Sequence, residues 1–114
     1  MEQYAGQLDG IFQALADPTR RAVLGRLGAG PASVSDLARP FAMALPSFMK
    51  HIRLLEGSGM IRTHKKGRVR TCELEKQCFA VVEGWLSGQR AIWEGRTDRL
   101  EQFVRAAEER EKPQ

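Results

Sequence analysis

Apolar side chains recur near the start of the chain at intervals of three and four: Tyr4, Leu8, Ile11, Phe12 and Leu15. That spacing lines up one stripe of an α-helix, so the segment is expected to form an amphipathic helix with a single buried face. Asp17 and Pro18 restart the chain, because an aspartate caps a helix and proline fits its first position, where an N–H is not needed. A second helix is expected over residues 18 to about 27, ended by Gly28 and Gly30. Ser33 to Asp36 carry a reciprocal capping pattern, Ser33 accepting from a first-turn N–H and Asp36 reaching back, so a short third helix follows. Pro40 ends it. The chain then turns as far as Met43, and a fourth helix is expected from about Ala44, with Pro46 tolerated in its first turn.

The glycines of the EGSG segment, residues 56–59, suit the end of that helix. Residues 60–65 and 68–74 read as two short strands around Lys66 and Gly67. Over residues 75–109 there is no proline, and Phe79, Val82, Leu86, Trp93, Leu100, Phe103, Val104 and Ala107 recur mostly at helical spacing. One long helix fits best, with Gly84, Gly88 and Gly95 as the points where it would break. The expected fold is therefore mainly α with a small β-hairpin, a single domain over residues 1–114 whose final helix covers 75–109.

Composition narrows the class of molecule. With 114 residues, 42% hydrophobic and 28% charged, the chain has the makings of one folded domain and no room for a catalytic domain beside a regulatory one. It has no apolar run long enough for a membrane span, and the polar start MEQYAGQLDG lacks the features of a signal peptide, so a cytoplasmic protein with no membrane partner is expected. In a reducing compartment Cys72 and Cys78 are expected to remain free thiols. No nucleophile-and-base pair, metal cluster or phosphate cradle stands out, which argues against an enzyme and against a cofactor.

The net charge of +4 matters less than its placement. At about 100° per residue, Phe48, Ile52 and Leu55 share the inner face of the fourth helix, leaving Pro46, Ser47, Lys50, Arg53 and Leu54 outward. Ser47, Lys50 and Arg53 offer donors for base edges or phosphates. His51 lies toward the packed flank, where a hydrogen bond at the core edge and a phosphate contact both remain open. Residues 62–70 contain Arg62, His64, Lys65, Lys66, Arg68 and Arg70 and no acid. Two helices joined by a short turn and followed by such a basic hairpin form a winged helix-turn-helix, with one helix for the major groove of double-stranded DNA and a wing for its backbone. The competing reading is a protein-interaction module of the same fold with an incidental wing, whose partner binding would depend only weakly on salt. RNA finds little support, since no aromatic platform for stacking bases is evident.

The strings LADPTRRAVLGRL and SVSDLARPFAMALPSFMKHIRLLEGSGMIRTHKKGRVRTCEL resemble the ArsR family of bacterial winged-helix repressors. The resemblance implies a homodimer paired through first and last helices, a fourth helix that enters the major groove, and release from DNA by an effector. The chain's own pattern points the same way: a final helix of this length spans about 50 Å, too long for one small domain to cover. The expected dimer interface comprises Tyr4, Leu8, Trp85, Ile92, Trp93, Leu100 and Phe103; the alternative is a helix folded back after a glycine. Ala44 departs from the Ser or Thr, and Met49 from the Ser, that the family often carries at these positions, removing a capping hydroxyl and one polar DNA contact. The third helix has no Cys and the last helix no His, so the metal sites of metal-sensing members are not expected. A site built from Cys72 and Cys78 across a dimer is the lesser alternative to inert thiols. The string WLSGQRAIWEGRTDRLEQFV resembles a branch without metal motifs, implying that any effector is a small organic molecule. Trp85 and Trp93 fit dimer core better than the lining of a ligand pocket.

Overall fold

The computed structural model describes the backbone of residues 2–111 and, apart from Thr97, the side chains from Gly6 onward. The elements run α1 (Glu2–Leu15), α2 (Pro18–Leu27), β1 (Ala32–Ser33), α3 (Val34–Ala38), α4 (Leu45–Gly57), β2 (Ile61–Lys66), β3 (Val69–Leu74) and α5 (Lys76–Glu111). The strands form an antiparallel sheet in the order β1-β3-β2. The chain divides into two compact units, residues 1–82 and 83–114.

Local chemistry sets the boundaries in the first unit. Asp17 caps α2, its carboxylate accepting from the Arg20 backbone N–H at 3.0 Å, and this hydrogen bond is the main reason its pKa is lowered, with His51 and Arg20 nearby adding to it. Ser33 caps α3 by accepting from the Asp36 N–H at 3.1 Å. The expected return bond from Asp36 gives way to another: its carboxylate accepts from Arg39 at 3.0 Å, one turn further along. Ala44 caps α4 without any side-chain hydrogen bond. At the other end of α4, Gly59 takes φ +81°, a left-handed conformation that suits glycine after a helix, and the Met60 N–H returns to the Leu55 carbonyl at 3.2 Å.

The core of this unit gathers Ile11 and Ala14 from α1, Val23, Leu24 and Leu27 from α2, Val34 and Leu37 from α3, and Phe48, Ile52 and Leu55 from α4, closed by Met60, Ile61, Cys72 and Cys78. Phe41, in the turn before α4, stacks at a tilt on Phe48 with ring centroids 5.6 Å apart. Leu54 corrects the expected helical wheel: it is half-buried and packs on the core instead of facing outward. Strand β1 is an addition to the expected hairpin. Its two residues pair with Cys72 and Thr71 of β3 and tether the start of α3 to the sheet.

In the second unit α5 continues without a break through Gly84, Gly88 and Gly95. Its large apolar side chains stay exposed, Trp93 at 69%, Leu100 at 63% and Phe103 at 70%.

Candidate nucleic-acid interface

Because α4 buries Phe48, Ile52 and Leu55 almost completely, the helix has one outer face. Ser47, Lys50 and Arg53, spaced by three, are all exposed on it. Pro46 at the start of the helix leaves no N–H to satisfy at its own position, so the first turn costs little despite the missing capping hydroxyl.

His51 is half-buried at the core edge, one of the two roles expected of it. Its Nδ1 lies 3.0 Å from Nη1 of Arg20 and 3.8 Å from a carboxylate oxygen of Asp17. A guanidinium only donates, so this bond uses Nδ1 as an acceptor, the role that the Nε2–H tautomer leaves open to it. The same guanidinium donates from Nε to the Ala14 carbonyl at 2.9 Å and from Nη2 to the Gln13 carbonyl at 3.0 Å. Arg20 therefore satisfies the open end of α1 and braces α4 through His51, which fixes where the outer face of α4 sits.

The wing is the two-residue hairpin of β2 and β3, paired from Ile61–Leu74 to Lys66–Val69. Gly67 occupies the first central turn position with φ +62°, where a type II′ hairpin takes glycine. The cations are not equivalent. Arg62 is neutralised at the base by Glu73 at 2.6 Å and Glu75 at 3.9 Å. Arg70 donates to Thr63 Oγ1 at 3.0 Å, and that hydroxyl in turn donates to the Glu56 carboxylate of α4. His64, Lys65, Lys66 and Arg68 are exposed around the tip. Lys65 lies directly opposite Arg70 in the register, an arrangement of like charges that disfavours the hairpin unless a polyanion lies across it.

The Glu56–Thr63–Arg70 chain escaped the sequence reading. It joins the end of α4 to the wing, so the two elements are linked directly. Only the cross-strand register brings Thr63 and Arg70 together, and no local pattern in the sequence announces it.

Comparison with known proteins matches this geometry. Residues 15–64 fit the family model of a helix-turn-helix domain. The transcriptional repressor SdpR of Bacillus subtilis (strain 168) is 34% identical over 61 residues, covering 54% of this chain and 68% of that protein. The crystal structure of the ArsR family transcriptional regulator RHA00566 is 71% identical, with a TM-score of 0.77 over 79% of this chain and 93% of that one. The chain belongs to the ArsR family of transcriptional regulators. A more distant structure, the homodimeric winged helix-turn-helix DNA-binding domain Mb0332 of Mycobacterium bovis, shares the fold at 17% identity and a TM-score of 0.61, over 77% of this chain and 83% of that one.

In this ArsR-family regulator both cysteines are buried free thiols. Burial raises the pKa of each, with Glu56 adding to the effect at Cys72 and Glu75 at Cys78, so both remain protonated near neutrality. Among the described residues no three His, Cys, Asp or Glu side chains group so as to hold a metal ion, and no helix is long and apolar enough to cross a membrane. Of the residues expected at a dimer interface, Leu8 is half-buried, while Trp85, Ile92, Trp93, Leu100 and Phe103 are exposed. Tyr4 lies outside the described side chains.

Proposed function

We propose that this regulator works in the cytoplasm as a repressor that binds a two-fold symmetric operator as a homodimer, with α4 in the major groove and the wing on the flanking backbone. The exposed cations of the wing carry this reading, because the hairpin that bears them is joined to α4 through Arg70, Thr63 and Glu56. Ser47, Lys50 and Arg53 contact base edges or the nearest phosphates, while His64, Lys65, Lys66, Arg68 and Arg70 neutralise backbone charge. His51 positions α4 through Arg20. The two recognition helices of a dimer would meet half-sites about one helical turn, roughly 34 Å, apart.

The apolar stripe of α5 is the natural surface for the second copy. Leu86, Trp93, Leu100 and Val104 fall within a narrow arc of the helical wheel, with Trp85, Ile92 and Phe103 beside them. An apolar face of this extent, polar on its other side, is the kind of surface that a partner helix covers. A small organic effector is the reading for release from DNA, on the resemblance of the string WLSGQRAIWEGRTDRLEQFV to a branch without metal motifs.

Fluorescence anisotropy across a salt series, on the duplex upstream of the gene and on a scrambled one, tests the reading. Selective binding that weakens steeply with salt is expected. Replacing Lys65 and Arg68 together by Ala should weaken binding to both duplexes and flatten the salt slope by about 0.9 for each phosphate no longer neutralised. Salt-insensitive binding, or an unaltered slope in the double variant, would remove the wing from the interface.

A further inference from the structure

The first turn of α4 holds a feature that hydrogen-bonding residues do not explain. Leu45, its first residue, is 57% exposed, and Val69 at the wing tip is 52% exposed. Together with Met49, one turn further along α4, they line a crevice of about 350 Å³ whose other walls include Arg68 and Arg70. A lone exposed leucine is ordinary on a protein surface. Here apolar side chains from two elements converge, and the rim beside them is cationic.

The base edges in the major groove present donors, acceptors and a single apolar group, the C5-methyl of thymine. A leucine pressed against any other edge would strand a base donor or acceptor away from water, at the cost of an unmade hydrogen bond. The cationic rim matches the phosphates that flank such an edge. We propose that Leu45 reads a thymine methyl group in each half-site, with Met49 and Val69 as the apolar wall behind it. This deepens, and rests on, the reading of α4 as the recognition helix. It also gives a use to Met49, where a smaller polar residue would supply a hydrogen bond in place of an apolar wall.

Deoxyuridine differs from thymidine only by that methyl, which makes the test direct. A duplex is first enriched from a random pool with the wild-type protein, and its thymines are then replaced singly by deoxyuridine. Anisotropy should find a thymine in each half-site at which the wild type loses about fourfold in affinity, the worth of one buried methyl. Leu45→Ala, checked for folding by circular dichroism, should bind the thymidine and deoxyuridine forms equally well. Lys50→Ala should weaken binding to both by the same factor. Tolerance of deoxyuridine at every position by the wild type would overturn the proposal, as would discrimination retained by Leu45→Ala. Failure to enrich any duplex with folded protein would instead overturn the recognition-helix reading, and this proposal with it.

Discussion

Helices α4 and α5 are both amphipathic, yet they end up in opposite circumstances. The apolar face of α4 is closed by its own chain: Phe48, Ile52 and Leu55 are at most 1% exposed, under α1, α2 and the sheet. Beyond Val82 the apolar stripe of α5 stays open, with Phe103 at 70% exposure. Helical periodicity is thus the same signal in the two cases and tells only that a face will be covered. What covers it depends on whether the chain returns to that place. The α4 face belongs to folding of the first unit, while the α5 face is the one proposed above for association.

The sharpest way to break this comparison is to empty one side of it. Phe48→Ala should cost about 3–5 kcal/mol, by loss of burial and by the cavity left among Ile52, Leu55 and Phe41; denaturant titration measures it directly. A cost below about 1 kcal/mol would mean that the core is looser than its exposures indicate. On the other side, Leu100→Ala combined with Phe103→Ala should leave the unfolding of residues 1–82 largely unaltered and raise the dimer dissociation constant about tenfold or more. Sedimentation velocity over a concentration series reads that change. If the double variant instead unfolds as Phe48→Ala does, the stripe is part of the chain's own core.

The smallest expected effect concerns the junction that holds α4 in place. Asp17 has a lowered pKa in the folded state, so its charge adds stability above the ordinary carboxylate range, and that contribution is lost as pH falls through its folded value. Asn at this position keeps a capping oxygen but carries no charge. The stability advantage of the wild type over Asp17→Asn should therefore be constant near neutrality and shrink in acid. An advantage that does not change with pH would show that the Asp17 charge has no part in bracing His51 and Arg20.

Much of the fold was legible because its signals are local. Spacing of apolar residues, the Asp17 and Ser33 caps, Pro46 and the glycines at 59 and 67 place each long element within a few residues of its observed bounds. Strand β1 was not legible, since two residues hold no alternation and pair only because β3 passes beside them. Leu54 fell on the outer arc of an ideal wheel but lies half-buried, because the surface packed against α4 is broader than a single stripe. At the site, Ser47, Lys50 and Arg53 could be read from spacing, and the wing from its density of cations. Which cations are already engaged could not be read, and Arg62 with Glu73 and Arg70 with Thr63 are the examples.

The sequence by itself determined the order of elements, the polar outer face of α4 and the cationic hairpin, because each depends on residues no more than a few turns apart. Only the tertiary structure decided that His51 braces α4 through Arg20, that Glu56 ties α4 to the wing, and that Leu45 and Val69 share one crevice. Those outcomes join residues distant in sequence, such as Arg20 with His51. Their geometry follows from how helices and strands pack around a common core, which periodicity and local hydrogen bonding do not specify.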